Sequence, residues 1–411
     1  MRKLFSAIVL LACSFSLVAA QSSITPEQAL ARVLQQTPVQ AGWFAPNFLA
    51  QIPITQVDAI VKQYRGAIGA FQRADATADG FTLVMERGTA PAKIHLDAEG
   101  RIDGLWFGAP QPTKPMSLED GMKELSAFPG KVSAAVFEEG KPLAALHAED
   151  ALAVGSAFKL AVLAAAEEQT AAGKLHLDQT FPLKKEWKSL PSGVLPGWPD
   201  GTPLTLATLE NEMISISDNT GADAMLSIVG RDQAEKFAPR NKPFLSTREA
   251  FVLKAKNSAA LLERYRKADE PGRRAMLAEI DAQLLPDASQ FSDAPSATDI
   301  EWFFTPEELC SLAAKAADAD AFRINPGLAD RGQWKQVAFK GGSEGGVLNL
   351  TTALTGKNGR HYCVAATWNN TAALDQNKFF ATYGSILSTL ARASGKLGQS
   401  SAPARGARCL D

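Results

Sequence analysis

The chain has 411 residues, a formal net charge of −2 at neutral pH and four histidines. This nearly balanced charge argues against nucleic acid or an anionic membrane surface as a partner. With few histidines and no H-E-x-x-H or paired Cys/His spacing, neither a metal site nor another cofactor is expected. A chain of this length is too long for one small core, so it predicts two domains.

Residues 1–20 are typical of a secretory signal peptide. Arg2 and Lys3 form a basic start, and the uncharged run that follows is too short to span a membrane. Cleavage after Ala20 would remove both basic residues and leave a net charge of −4. The leader also matches a lipoprotein box at Cys13. Because five more residues of the apolar run follow this cysteine, ordinary cleavage is favoured, which predicts a periplasmic or secreted protein; a lipid anchor on Cys13 is the alternative.

Residues 21–108 predict a small domain of helices followed by an antiparallel sheet. Thr25 precedes a proline and is typical of a helix N-cap, and residues 57–64 show a second helical spacing. The apolar period then changes to two over residues 81–107, around a turn at 97–100. Helices followed by a meander give an α+β domain, and none of its residues predicts catalysis.

The composition changes at residues 109–117, where a proline-rich stretch predicts a linker to a second domain at 118–395. Residues 396–411 are rich in Gly, Ser, Ala and Arg and are expected to be disordered. The cysteines that remain after leader removal are Cys310, Cys363 and Cys409. An odd number at wide spacing is not a disulfide framework and allows at most one bridge, whose pairing stays open.

The second domain begins with a predicted hairpin, with strands at residues 132–137 and 142–147. A helical stripe of apolar residues follows, and Ser156 and Lys159 lie at its start. Because residues three apart share a helix face, the lysine amine can reach the serine hydroxyl.

The position of Ser156 at the head of a helix also matters. Backbone N–H groups lack partners there, and the helix dipole favours developing negative charge. A hydroxyl, an adjacent base and a free N–H together are the parts of an acyl-transfer nucleophile. Alone, Ser-x-x-Lys occurs by chance about once in a chain this long and also fits an ordinary helix cap.

Two later motifs support the nucleophile. Ser217-Asp218-Asn219 is a polar tripeptide between two apolar helical stretches. Further on, Lys340 follows a β-branched and aromatic lead-in, and Gly341, Gly342 and Ser343 come directly after it. Residues 347–354 predict the next strand.

Ser-x-x-Lys, Ser-Asp-Asn and a Lys-x-Gly strand, in this order, resemble the class A β-lactamases and the wider penicillin-recognising serine hydrolases. Ser156 and Ser217 lie 61 residues apart, close to the family spacing. The resemblance covers about 118–395 and implies a β-lactamase-like α/β sandwich, an antiparallel sheet paired with a helical domain, with the site at their junction. The two-domain layout also resembles exported hydrolases of this fold that carry a steroid-isomerase-like N-terminal domain.

The resemblance implies a role for each motif residue. Ser156 would be the nucleophile and Lys159 its proton acceptor, since a shielded lysine can lose its proton near neutrality. Ser217 would relay the proton to the leaving group. Asn219 would bind substrate and brace Lys159.

The third motif would bind the substrate. Lys340 would attract a substrate carboxylate and lower the pKa of the first lysine. Gly342 and Ser343 would line the binding site, and the Ser343 N–H would form an oxyanion hole together with the N–H of Ser156.

Two departures from the family pattern concern the later steps. Gly341 replaces the hydroxyl residue that usually binds the substrate carboxylate. The family loop that carries a deacylating glutamate is not recognisable, and residues 235–300 hold a surplus of about twenty residues. Glu249 is the best candidate for that base and Glu344 a weaker one. The alternative for Glu249 is an ordinary acidic residue at a helix start.

A rival interpretation places the nucleophile at Ser343, since residues 341–345 satisfy the G-x-S-x-G elbow of α/β-hydrolases. We reject it because an elbow needs a helix directly after the serine, and a strand is predicted there.

The sequence therefore predicts an exported serine hydrolase that forms an acyl-enzyme on Ser156 and acts on small molecules, either β-lactam amides or esters. There are two alternatives. One is a D-alanyl-D-alanine peptidase, and the other is a penicillin-binding sensor or scaffold that is acylated without turnover. The oligomeric state is left open.

Overall fold

The computed structural model describes residues 24–399, apart from 109, 114–115, 191 and 292–293. The predicted signal peptide with Cys13, the residue Cys409 and most of the predicted tail lie outside the described residues. Among the described helices, none is long and apolar enough to cross a membrane.

The N-terminal part is an antiparallel sheet packed against helices, as predicted. Its elements are α1 (Pro26–Gln35), α2 (Pro46–Gln51), α3 (Ile54–Ile68), β1 (Phe71–Thr77), β2 (Gly80–Met85), β3 (Gly88–Leu96), β4 (Ile102–Phe107) and β5 (Gln111–Pro112). The strands have the order β1-β2-β3-β4, and β5 pairs with β3. Apolar side chains of α1 and α3 pack on this sheet in one buried cluster.

Sequence reasoning placed most of these elements. Thr25 caps α1 as predicted, because its hydroxyl accepts the Gln28 N–H while the Gln28 side chain accepts the Thr25 N–H. The predicted second helix lies within α3. Strand β1 was not predicted, because Phe71 is its only buried residue and no apolar alternation results. The resemblance of this part to steroid isomerases remains a prediction.

The proline-rich stretch predicted as a linker is partly ordered against both sides. Its residues Gln111 and Pro112 form β5 and extend the N-terminal sheet. The Gln111 side-chain amide also donates to the Asp330 carboxylate over 2.7 Å. The Met116 N–H donates to the Ser385 hydroxyl oxygen over 3.1 Å. The described part of the stretch is therefore docked rather than loose.

The C-terminal part is a second antiparallel sheet with helices on both faces, which confirms the predicted α+β class. Its elements are α4 (Leu118–Ser126), β6 (Lys131–Glu138), β7 (Lys141–Leu146), β8 (Leu152–Ala153), α5 (Lys159–Ala171), β9 (Thr180–Pro182), β10 (Pro203–Thr205), α6 (Leu206–Ser215), α7 (Asn219–Val229), α8 (Arg231–Phe237), α9 (Thr247–Lys254), α10 (Ala259–Lys267), α11 (Glu270–Asp281), β11 (Phe303–Phe304), α12 (Pro306–Lys315), α13 (Asp320–Arg323), β12 (Gln336–Glu344), β13 (Val347–Thr355), β14 (His361–Asn369) and α14 (Gln376–Gln399). The main sheet has the order β12-β13-β14-β6-β7.

Two apolar cores hold this sheet in place. One face packs against α4 and α14, where Trp368, Phe379 and Tyr383 are buried. The other face packs against a helical core that contains α5, whose residues Leu160 and Leu163 are fully buried. Helix α5 is surrounded by this core, and its first turn therefore has a fixed position against the sheet.

Helix α14 corrects one sequence prediction. It continues to Gln399, so the first four residues of the predicted disordered tail are helical. A growing helix gains one backbone hydrogen bond for each residue added, which favours its continuation once it has formed.

A disulfide joins the helical core to the sheet. Cys310 of α12 is bonded to Cys363 of β14, with 5.8 Å between their Cα atoms. This is one of the pairings that the sequence left open, and the remaining cysteine of the exported chain, Cys409, is outside the described residues.

Loss of this bond is expected to destabilise the protein without affecting the nucleophile. The bond closes a loop of 53 residues, for which the chain-entropy relation gives about 4 kcal/mol in the free energy of unfolding. Denaturant unfolding of Cys310→Ala/Cys363→Ala beside the wild type measures this loss. An unchanged unfolding midpoint would contradict a stabilising role for the bond.

Candidate active site

Ser156 lies in a tight turn that leads into α5. Residues Gly155–Phe158 form one turn of 3₁₀ helix, so the serine is one turn before the α-helix rather than in it. Phe158 stacks on Trp302 with 3.8 Å between ring centroids, which anchors the turn. Gly155 has a φ of 51°, and a Cβ there would lie 3.1 Å from the Ser343 nitrogen, so this position favours glycine.

Lys159 connects the first two motifs. Its side chain is buried, and its Nζ lies 3.3 Å from the Ser156 hydroxyl. The same nitrogen is 2.6 Å from the Ser217 carbonyl, 3.1 Å from the Ser217 hydroxyl and 2.7 Å from Oδ1 of Asn219. The structure thus brings together four residues that the sequence placed up to 63 positions apart.

The surroundings of Lys159 favour a neutral amine. Burial is the main cause that lowers its pKa well below 10.5, and the positive charge of Lys340 adds to it. Asp223 and Asp218 act in the opposite direction, but among the described residues no carboxylate is hydrogen-bonded to Nζ.

A neutral amine also fits the hydrogen bonds of this nitrogen. Its two N–H groups can serve the Ser217 carbonyl and the Asn219 amide oxygen, which only accept. The lone pair is then free to accept the proton of the Ser156 hydroxyl. This arrangement matches a general base that is ready to act on the nucleophile.

The second motif is held in a strained conformation. Ser217 has a φ of 61°, which is rare for a residue with a side chain and directs its carbonyl to Lys159. Asp218 caps α7 and also accepts the N–H groups of Val194 and Leu195 at 2.7 and 2.8 Å. These bonds fix the neighbouring loop against the motif.

Strand β12 supplies the third motif. Lys340 is buried, its Nζ lies 3.0 Å from the Ser217 hydroxyl, and burial lowers its pKa to about 7. Side chains alternate along a strand, so Lys340 and Gly342 face the same side. A Cβ on Gly342 would lie 2.6 Å from the backbone nitrogen of Ser156. The close approach of this strand to the nucleophile therefore requires glycine.

These residues surround one cavity of about 650 Å³ at the junction of sheet and helical core. The predicted site residues that line it are Ser156, Ser217, Asn219, Lys340, Gly342 and Ser343. Lys159 lies behind the wall and reaches the nucleophile from within the core. The geometry brings all three motifs together as the sequence predicted, while the chemical role of each residue stays a prediction.

Residues 118–268 match the beta-lactamase enzyme family. This match confirms the resemblance that the sequence motifs predicted. The first two motifs lie inside the matched segment, whereas Lys340 and the rest of the third motif lie beyond it. No curated protein matches the chain.

Several solved structures are similar to this chain. A β-lactamase from Sphaerobacter thermophilus is 20% identical with a TM-score of 0.48, over 68% of this chain and 97% of that one. The structure of PBP-A is 13% identical with a TM-score of 0.46, over 69% of this chain and 98% of that one. A β-lactamase from Chitinophaga pinensis is 18% identical with a TM-score of 0.43, over 68% of this chain and 98% of that one.

Glu249, the predicted deacylating base, does not line the cavity. Its side chain is fully buried and paired with Arg231 by hydrogen bonds of 2.7 and 3.0 Å. It also accepts the Ser246 N–H as part of a capping box at the start of α9. Its carboxylate therefore stabilises a helix start, and the candidate base is corrected to this structural role.

Replacing Glu249 is expected to affect stability rather than turnover. Glu249→Gln removes the charge that balances the largely buried Arg231 and should lower the free energy of unfolding by about 2 kcal/mol. The lifetime of any acyl-enzyme should stay within threefold of the wild type, as measured by intact mass over time. A large accumulation of acyl-enzyme in this variant alone would restore Glu249 as the base.

The nucleophile-elbow interpretation is also decided by the fold. Ser343 lies in β12, and the chain turns directly into β13, which pairs with it antiparallel from Glu344↔Val347 onward. No helix follows this serine, so the elbow is absent from this part of the described chain.

Sequence reasoning did not recognise a charged group beside the cavity. Lys254 of α9 is hydrogen-bonded to Glu301 and Glu344, which are 47 and 90 residues later in the chain. No local spacing connects these residues, and only the packing of α9 against the end of β12 brings them together.

Proposed function

We propose that this protein is an exported serine hydrolase in which Ser156 forms an acyl-enzyme with β-lactam amides or with esters. The single observation that carries the proposal is the contact between the Ser156 hydroxyl and the buried Lys159 amine at 3.3 Å. A hydroxyl next to a base with a lowered pKa is an activated nucleophile.

The acylation step follows from the contacts around this pair. Lys159 accepts the hydroxyl proton while the Ser156 oxygen bonds to the substrate carbonyl carbon. The N–H groups of Ser156 and Ser343 stabilise the resulting oxyanion. Removing one such donor raises the activation free energy on the order of 3 kcal/mol. Ser217 contacts both lysine amines and would pass the proton to the leaving nitrogen or oxygen, whose bond to carbon then breaks.

The charge around the cavity supports an anionic substrate. Lys340 places a cation beside Ser217, where it would attract a substrate carboxylate. Gly341 leaves this position without the usual hydroxyl, so recognition would depend more on charge than on a directed hydrogen bond. Penicillins and cephalosporins carry such a carboxylate, and many activated esters do not.

The experiment that tests the proposal is intact mass spectrometry after brief exposure to panels of penicillins, cephalosporins and activated esters. We expect a mass increase equal to the bound acyl group, located on Ser156 by peptide mapping, followed by its release. An adduct that forms and persists would favour a penicillin-binding sensor. No adduct with any member of the panel would overturn the proposal.

Export is part of the same proposal. The Cys310–Cys363 disulfide supports an oxidising compartment, in which such bonds persist. N-terminal sequencing of protein from the producing cells should find Gln21 as the first residue. A diacylated Cys13 would instead place the enzyme at a membrane anchor.

A further inference from the structure

A buried group of one lysine and two glutamates forms part of the cavity wall. Nζ of Lys254 lies 2.7 Å from both carboxylate oxygens of Glu344 and is also hydrogen-bonded to Glu301. The side chains of Lys254 and Glu301 are 1% and 0% exposed, whereas that of Glu344 is 25% exposed. Glu344 is thus the carboxylate of this group that water in the cavity can reach.

Glu344 lies on β12 two residues after Gly342, on the same side of the strand. Lys340, Gly342 and Glu344 share the face that looks to the helical core, because side chains alternate along the strand. Gly342 lies against the Ser156 nitrogen, and Glu344 follows about 7 Å further along the same face. Both Ser156 and Glu344 line the same cavity.

The charges within the group leave Glu344 ionised. Burial and the neighbouring Glu344 raise the pKa of Glu301 above its ordinary value, although the charge of Lys254 opposes this. Oε2 of Glu301 is buried without a hydrogen-bond partner among the described residues. Burial acts against ionisation of Glu344 as well, but hydrogen bonding to Glu301 and the charge of Lys254 outweigh it and lower its pKa.

The second half of the reaction also needs a base. An acyl-enzyme is released only when water attacks its carbonyl, and this water needs a group that accepts its proton. Glu249 cannot serve, because its carboxylate is buried against Arg231.

We propose that Glu344 is the general base of deacylation and that Lys254 and Glu301 hold it in position. This inference rests on the serine-hydrolase function proposed above. The Glu344 carboxylate accepts a proton from water, and the water oxygen bonds to the acyl carbonyl carbon. The bond from that carbon to the Ser156 oxygen then breaks, the serine oxygen recovers the proton held by Glu344, and the product leaves as a carboxylic acid.

The test compares acylation with deacylation in Glu344→Gln, using benzylpenicillin and a small activated ester. We expect the acylation rate to stay within about threefold, because Lys159 drives that step. The acyl-enzyme lifetime should increase on the order of 10²–10⁴-fold, the usual contribution of a general base. Glu149→Gln, which changes an exposed glutamate of the loop before β8, is the matched control and should alter neither rate.

A second variant tests the positioning role and covers the case in which Glu344→Gln does not fold. Lys254→Met removes the cation that keeps Glu344 ionised, so the pKa of Glu344 should rise. The acidic limb of the pH profile, where the deacylation rate falls because the base is protonated, should then move to higher pH. The charged groups that face Glu344 are Lys254 of α9 and Glu301 before β11. A purely structural role would lower the thermal midpoint without moving this limb.

The outcomes separate this inference from the function on which it rests. A wild type that forms an acyl-enzyme, with equal release in Glu344→Gln, overturns the role of Glu344 and leaves the serine hydrolase intact. An unshifted limb in Lys254→Met overturns the positioning role. A wild type that forms no adduct with either probe overturns the proposed function itself.

Discussion

Ser156→Ala is expected to abolish acyl-enzyme formation, with covalent labelling by a β-lactam or a fluorophosphonate falling about 10⁴-fold or more. The reason is that the variant removes the only atom that would bond to the substrate carbonyl, while the neighbouring base and N–H groups stay in place. The change removes one small hydroxyl from the cavity wall, so the thermal midpoint should be nearly unchanged. Labelling by intact mass and a thermal melt measure the two effects.

Ser343→Ala is the matched control for this prediction. It removes a hydroxyl from the same cavity but keeps the backbone N–H that would stabilise the oxyanion, so labelling should persist. If Ser343→Ala abolished labelling and Ser156→Ala did not, the nucleophile would be Ser343 and the proposed mechanism would be wrong.

Lys159→Met is expected to lower the acylation rate about 10²–10⁴-fold, because it removes the general base. Lys159→Arg is the matched variant, since it keeps a nitrogen-bearing side chain of similar reach. A guanidinium does not lose its proton at neutral pH, so this variant should be nearly as slow. Stopped-flow acylation rates test both. Full activity in Lys159→Arg would show that the residue acts through its charge rather than as a base.

The same two lysines predict how activity depends on pH. Below the lowered pKa of Lys159 its amine is protonated and cannot accept the serine proton, so acylation should fall as the pH drops. Above a pH of about 7, Lys340 loses the charge that would attract a substrate carboxylate. The KM of an anionic penicillin should then rise, whereas that of a neutral ester should not. Profiles of kcat/KM for the two substrates check this, and parallel profiles would contradict the role of Lys340.

Local patterns predicted many of the elements that position the site. The strand of residues 132–137, the hairpin after it and the strand before Lys340 were recognised because they are short apolar or β-branched runs next to turn residues. Strand β1 was missed, since its mostly exposed residues carry no such alternation. The tripeptide at Ser217 was located correctly, but its left-handed backbone was not foreseen, because nothing in a serine itself favours a positive φ.

The sequence by itself determined the three motifs, their order and the likeness to the β-lactamase family, since each motif is a short run of residues that is visible without a fold. Only the tertiary structure decided which carboxylates face the cavity. Glu249 was the best sequence candidate for the deacylating base, yet its carboxylate is paired with Arg231 within the core. Glu344 was the weaker candidate, yet strand alternation and the contact with Lys254 place it at the cavity wall. The physical reason is that the orientation and charge of a buried group depend on partners far away in the chain, which no local spacing specifies.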